Sequence, residues 1–300
     1  MIKNNTTTLE QKKGVLALVV LAFGFAGIAI AVRYLSSFFT LYQQLYLSVG
    51  TAFILSVMFF PRTITFRRLV KVPLRDWQIM LGRVIVGYLV GGALYRSSLV
   101  LTKISNVTFI QAIPFAAVFG WLLFKEKPTL QKLALVAVAY LGVVIVSVKD
   151  FSLVSGFGLG ELYSIISSAA FSISYLARKW QTNFLNDKEI TQILLFLATL
   201  ILFATSVVKG EGSPVIRSDA PLLLSVFLTG FFNVLNIYLI NYGFSRVRAV
   251  VASNVLTLEA IFAVVLATIF YKEFPNLREL IGGLLIIVSV IQMNNLERKT

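Results

Sequence analysis

The sequence predicts an all-α polytopic membrane protein: ten transmembrane helices arranged as two inverted five-helix repeats around a central cavity. Three observations carry this. The first is composition: 58% of the 300 residues are hydrophobic and 13% are charged, too little polar surface to cover a water-soluble globule. The second is that the apolar residues fall in ten continuous runs, each near the ~20 residues that a helix rising 1.5 Å per residue needs to cross hydrocarbon. The third is a duplication: Phe115-Ala116-x-Val118 followed by Lys125-Glu126-x-Pro128-x-Leu130 recurs 147 residues later as Phe262-Ala263-x-Val265 followed by Lys272-Glu273-x-Pro275-x-Leu277. Five spans per copy is an odd number, so the second copy must thread the bilayer upside down relative to the first.

The first repeat, residues 1–150, holds spans at 15–32, 38–60, 77–101, 104–124 and 130–148, and the second, residues 151–300, holds spans at 156–176, 190–208, 220–244, 247–271 and 277–293. The runs lack the polar/apolar alternation of barrel strands, which leaves helices as the spanning element. In the fourth span, Thr108 and Gln111 precede Pro114, whose missing amide hydrogen predicts a kink where the cavity should lie. Gly24 and Gly27 on the first span, and Ser164, Ser168 and Ser172 on the sixth, read as close-packing surfaces, with Tyr175 continuing the sixth-span face. With the amino terminus inside, the connections carry eighteen Lys and Arg on the inner side and seven on the outer, which places both termini in the cytoplasm. The Lys-Glu-x-Pro corners then face opposite sides, as span ends held at the interface or, alternatively, as gate contacts.

A formal net charge of +14 would suggest nucleic acid in a soluble protein. Here the bases sit in short connections and are not interleaved with aromatics, so no nucleic-acid role is expected. Cysteine and histidine are both absent, which removes thiol chemistry and the commonest metal ligand. No phosphate-binding loop, nucleophile-base pair or carboxylate cluster is present, so neither an enzyme nor a cofactor is expected.

The polar residues inside the spans are the candidate site. Glu259 lies about twelve residues, or ~18 Å of helix, from either end of its span, so its carboxylate must be paired, hydrated or protonated. It is read as binding an amino group or carrying a coupling proton, against the alternative of an interhelical lock. Thr229, Asn233 and Asn236 share one face of the eighth span, and Asn254 and Thr257 flank Glu259 on the ninth. Gln111 and Tyr175 complete the neutral set. Arg96 and Arg83, on the third span, are close enough to its ends to snorkel, and interfacial anchoring is the default for both. Arg96 is retained as a candidate for a solute carboxylate or for pairing with Glu161. An ideal α-helix would place the two arginines about 140° apart around the axis.

At these residues the chain resembles the drug/metabolite transporter superfamily, in its ten-helix EamA-like branch. The pattern is clearest from Tyr242-Gly243-Phe244 through Glu259-Ala260-x-Phe262-Ala263 to Glu273 and Gly282-Gly283. The chain departs from that pattern where the family often has Pro after the ninth-span Glu, here Ala260, and Arg early in the second span, here Gln43 and Gln44. The resemblance implies a secondary transporter in which two halves alternately expose a central cavity. The solute expected is a small organic metabolite, amino-acid-like or similar, with the lipid bilayer and a coupling proton or counter-substrate as further partners. Exchange of anionic or phosphorylated metabolites is the alternative, and a non-transporting membrane scaffold is the alternative from another class. The compartment expected is a prokaryotic inner membrane.

Overall fold

The computed structural model describes residues 8–61, 63, 66–102, 107, 110–126, 128–147, 158–215, 219–271, 274–275 and 277–299, and these contain helices and connections but no strand. The first repeat contributes α1 (Thr8–Leu35), α2 (Leu41–Phe59), a single turn α3 (Phe66–Leu69), α4 (Leu74–Arg83), α5 (Ala93–Leu101), α6 (Phe115–Phe124) and α7 (Leu130–Ser147). The second contributes α8 (Leu159–Leu176), α9 (Asp187–Val208), α10 (Ala220–Arg246), α11 (Ala249–Leu256), α12 (Leu258–Tyr271) and α13 (Leu277–Lys299).

Among the described residues, six helical stretches are long and apolar enough to cross a bilayer: Leu9–Ile28, Leu41–Phe59, Leu74–Leu101, Asp187–Val208, Ala220–Arg246 and Ala249–Leu266. Phe115–Phe124, Leu130–Ile145 and Leu280–Leu296 are shorter apolar helices at predicted spans, and serine-rich α8 stands at the sixth. Many large hydrophobics point outward, among them Met58, Trp121, Leu200 and Leu284, as expected where the surrounding medium is hydrocarbon.

Helix contacts follow the duplication. α1 packs along α10, and α8 packs along the α4–α5 span, so the first span of each copy lies against the third span of the other. α2 pairs with its counterpart α9, and α7 with its counterpart α13. Such reciprocal pairing is what a pseudo-twofold axis in the membrane plane produces. Close approach rests on small residues: a Cβ added to Gly24 of α1 would lie 2.0 Å from the Asn236 side-chain oxygen on α10, and one at Gly27 would meet the Phe232 ring at 2.5 Å.

Among the described residues, three spans depart from regular α-helix, and all three departures border the cavity. Between α4 and α5 the chain runs as a π-helix over Val84–Gly92. Two α8 hydroxyls bracket it, Ser174 Oγ donating to the Arg83 carbonyl at 3.0 Å and Ser167 Oγ to the Gly91 carbonyl at 2.9 Å. Gly87 permits this, since a Cβ there would sit 2.5 Å from the Ser174 hydroxyl. π turns are wider than α turns and advance less per residue, so the 140° separation expected of Arg83 and Arg96 does not hold. In the fourth span the predicted kink is a restart: α6 begins at Phe115 with Pro114 as its N-cap. The ninth span breaks at Thr257, between α11 and α12, two residues before Glu259.

Candidate functional site

A cavity of about 200 Å³ lies between the repeats, lined by residues of both. Glu259, Asn233, Asn236, Gln111, Arg96 and Tyr175 all reach its wall. Asn254 does not. Its amide nitrogen donates to Ser289 Oγ at 2.9 Å and to the Leu135 carbonyl at 3.4 Å, tying α11 to α7 and α13, and the residue is fully buried. The sequence reading of Asn254 as a cavity residue is therefore corrected: three residues before the Thr257 break, its side chain points into the bundle. Thr108 lies outside the described residues, as do Lys272 and Glu273 of the second Lys-Glu corner.

Arg96 is also corrected, from an interfacial anchor to a cavity residue. Only 8% of it is exposed, and it donates to Gln44 Oε1 at 2.9 Å and weakly to Ser48 Oγ at 3.5 Å. Gln44 and Ser48 are one helical turn apart on α2, so a single face of that helix holds the guanidinium. Glu161 is not its partner: that carboxylate accepts from the Gly158 amide at 3.0 Å and from the Thr102 hydroxyl, capping α8. Neutral acceptors leave the Arg96 charge uncancelled, and its remaining donors are available to a solute.

Glu259 contributes an acidic group to the same space. Among the described residues its carboxylate makes neither a hydrogen bond nor an ion pair, and it is partly accessible from the cavity. Arg96 and Glu259 thus open onto one space without pairing with each other. An aromatic wall lies alongside: Phe171 and Tyr175, one turn apart on α8, stack at 5.9 Å, with Phe25 against Tyr175 at 6.2 Å and Tyr95 against Phe171 at 6.1 Å. Tyr95 lines the cavity as well. The i, i+4 spacing of Phe171 and Tyr175 was the available signal for this wall. Nothing in the sequence pointed to Phe25.

The remaining polar groups shape the walls. Asn233 Nδ2 bonds back to the Thr229 carbonyl of its own helix at 2.8 Å, which leaves its oxygen toward the cavity side. Gln111 donates to the Ser164 carbonyl at 3.1 Å, and its own carbonyl accepts from Ser168, so α8 ties down the fourth span just before Pro114.

Beyond the cavity, toward the face holding the start of α1, the repeats are joined by charge. Glu126 of the first Lys-Glu corner pairs with Lys179 and accepts from the Ala249 amide at 2.9 Å. Arg246 bridges Glu10 at 2.9 Å and Asp187 at 2.8 Å, and Asp187 also holds Arg178 at 2.8 Å. Asp76 accepts from the Thr182 amide at 3.0 Å, and Arg68 meets Glu189 at 2.9 Å. At the opposite face, Glu211 caps the start of α2 by accepting from the Tyr42 and Gln43 amides at 3.2 and 3.1 Å.

Among the described residues, apolar helices at the predicted spans, reciprocal packing of two copies, helices interrupted within their spans and a cavity where they meet define a polytopic membrane protein of two-repeat architecture. The EamA-like transporter family model matches residues 12–148 and again 158–295, and the chain belongs to that family. No curated protein matches it. Among solved structures, one described only as "Crystal structure of protein" is similar with a TM-score of 0.75 over 98% of this chain and 99% of that one, at 14% sequence identity, a likeness of fold.

Proposed function

We propose that this protein is a secondary carrier of a small zwitterionic organic solute of the amino-acid type, moved by alternating access rather than transformed by catalysis. One observation carries the reading: Arg96 and Glu259, of opposite charge and unpaired with each other, border the same cavity. An α-carboxylate on Arg96 and an α-ammonium near Glu259 would each supply the missing counter-charge, and each charge is expensive to leave uncompensated away from water. The aromatic wall suits a flat apolar side chain. Asn233 and Gln111 supply neutral contacts, and Glu259 is also the group that would carry a coupling proton.

A phosphorylated anion fits less well, since one guanidinium would face its multiple charges with a carboxylate on the same wall. A scaffold without transport has no use for unpaired charges around a void. In the carrier reading the charge-paired face is the cytoplasmic one, closed here, with both termini on that side.

The test is a thermal-shift comparison of purified protein with L-phenylalanine, phenethylamine and 3-phenylpropionate. Stabilisation by the zwitterion alone is expected. Equal stabilisation by either single-charge analogue, or none by the zwitterion and its L-amino-acid relatives, would remove the two-charge reading.

A further inference from the structure

Below the cavity floor lies a second buried cation that the carrier reading does not use. Arg83 is 3% exposed and closes α4 where the π segment begins. It donates from Nε to the Ser174 carbonyl at 2.9 Å, from Nη1 to Gln181 Oε1 at 2.9 Å and from Nη2 to Asn241 Oδ1 at 2.7 Å. All three acceptors are neutral. Among the described residues no carboxylate comes within ion-pair distance, so the guanidinium is solvated by dipoles and its charge is not cancelled.

Nearby charges do not cancel it either. Asp187 is already shared by Arg178 and Arg246, and Arg246 takes a further carboxylate from Glu10. Asp76, two turns back on α4, accepts from the Thr182 amide at 3.0 Å and makes no ion pair with Arg83. Replacing or stranding such a charge in the interior costs several kcal/mol unless something of opposite sign accompanies it.

The same place holds donors without acceptors. Three of the five guanidinium N–H groups are used, leaving two. Gln181 turns its oxygen to Arg83, so its amide nitrogen lies on the same carboxamide, and that nitrogen has no partner although the residue is 8% exposed. The Tyr88 hydroxyl is likewise buried without a partner, and Tyr88 stands five residues beyond Arg83, one π turn along the same helix. Asn241 offers nothing to this set, because its own nitrogen donates to Thr191 Oγ1 at 3.0 Å. A guanidinium held only by neutral acceptors, beside unused N–H and O–H groups, is the inverse of a cation site. Buried polar groups that a protein keeps unpaired mark a ligand or water.

We propose that Arg83, Gln181 Nε2 and Tyr88 Oη form a binding site for a small monovalent anion of chloride size, adjoining the solute cavity, whose wall Tyr88 also lines. An anion here neutralises the guanidinium and accepts from all three side chains, which a water, carrying no charge, does only in part. Arg83 and Gln181 stand outside that wall, so the charge of the site does not depend on which solute the cavity takes.

The experiment measures the melting temperature of purified protein in detergent against sodium chloride, bromide, acetate and gluconate at matched ionic strength, without added solute. Saturable stabilisation by chloride and bromide that gluconate does not reproduce is expected, and acetate separates an inorganic anion from a small carboxylate as the occupant. Gln181→Glu places a fixed carboxylate beside Arg83 and should abolish the halide response in a protein that still folds. Tyr88→Phe should weaken the apparent chloride affinity about tenfold, the loss of one hydrogen bond to a charged group. Equal shifts with gluconate, or a halide response undiminished in Gln181→Glu, would overturn the proposal.

Discussion

The third span of the first repeat and the third span of the second occupy equivalent places in the duplication and have been put to opposite uses. A shift of 147 residues carries Arg83 onto Gly230 and Arg96 onto Gly243, while Tyr95 falls on Tyr242. In α10 the glycines let other helices touch the backbone: a Cβ at Gly230 would lie 2.5 Å from Thr51 Cγ2, and one at Gly243 would lie 2.7 Å from Leu18 Cδ2. In the α4–α5 span the same two positions bear the buried guanidiniums, and the helix between them is a π segment held by Ser167 and Ser174. The two spans meet where Arg83 donates to Asn241 of α10. A duplicated fold therefore does not imply a duplicated site. One copy of the span supplies shape through close packing; the other supplies charge.

That contrast breaks most severely if the copies are made alike. Gly243→Arg places a guanidinium against Leu18 with no acceptor prepared for it, and the expected cost of several kcal/mol should show as loss of the monodisperse peak on fluorescence-detected size exclusion. Next in size is Arg96→Gln, which removes the charge but keeps hydrogen-bonding capacity toward Gln44; the apparent affinity for L-phenylalanine should fall about tenfold or more, with the protein still monodisperse. Its counterpart is Glu259→Gln, expected to weaken the same affinity by about tenfold while leaving any 3-phenylpropionate binding in place, which isothermal titration of both compounds would check. The smallest effect belongs to Ser167→Ala: losing one hydroxyl donor to the Gly91 carbonyl should lower stability by about 1 kcal/mol without altering solute affinity, read by melting temperature and titration together. A loss of affinity in that variant would mean the π segment sets the direction of Arg96 and is no passive packing device.

Much of the site was legible because membranes make polar residues conspicuous. A carboxylate or carboxamide in mid-span has few tolerable places, so Glu259, Asn233, Asn236 and Gln111 could be expected to turn inward, and each reaches the cavity. Asn254 obeyed the same rule by a different route, turning inward to Ser289 and Leu135 instead. Inward-facing and cavity-facing are the same only where neighbouring helices stand apart. Arg83 and Arg96 misled for the complementary reason: five or six residues from a span end, snorkelling is sterically open to them, and only neutral acceptors on α2, α8 and α10 make the buried alternative tolerable. The aromatic wall was the least visible part, since Phe and Tyr serve lipid, core and cavity equally and carry no cost that would single out one.

By itself the sequence determined the solvent, the number of crossings and the duplication, because these follow from transfer free energies and chain reach summed over long segments. Local backbone departures and partner choice were decided only by the tertiary structure. Whether a span stays α-helical at Val84–Gly92 depends on which hydroxyls a neighbouring helix offers to its carbonyls. Whether a buried charge is cancelled or left for a solute depends on which side chains, remote in sequence, the packing brings within about 3 Å of it.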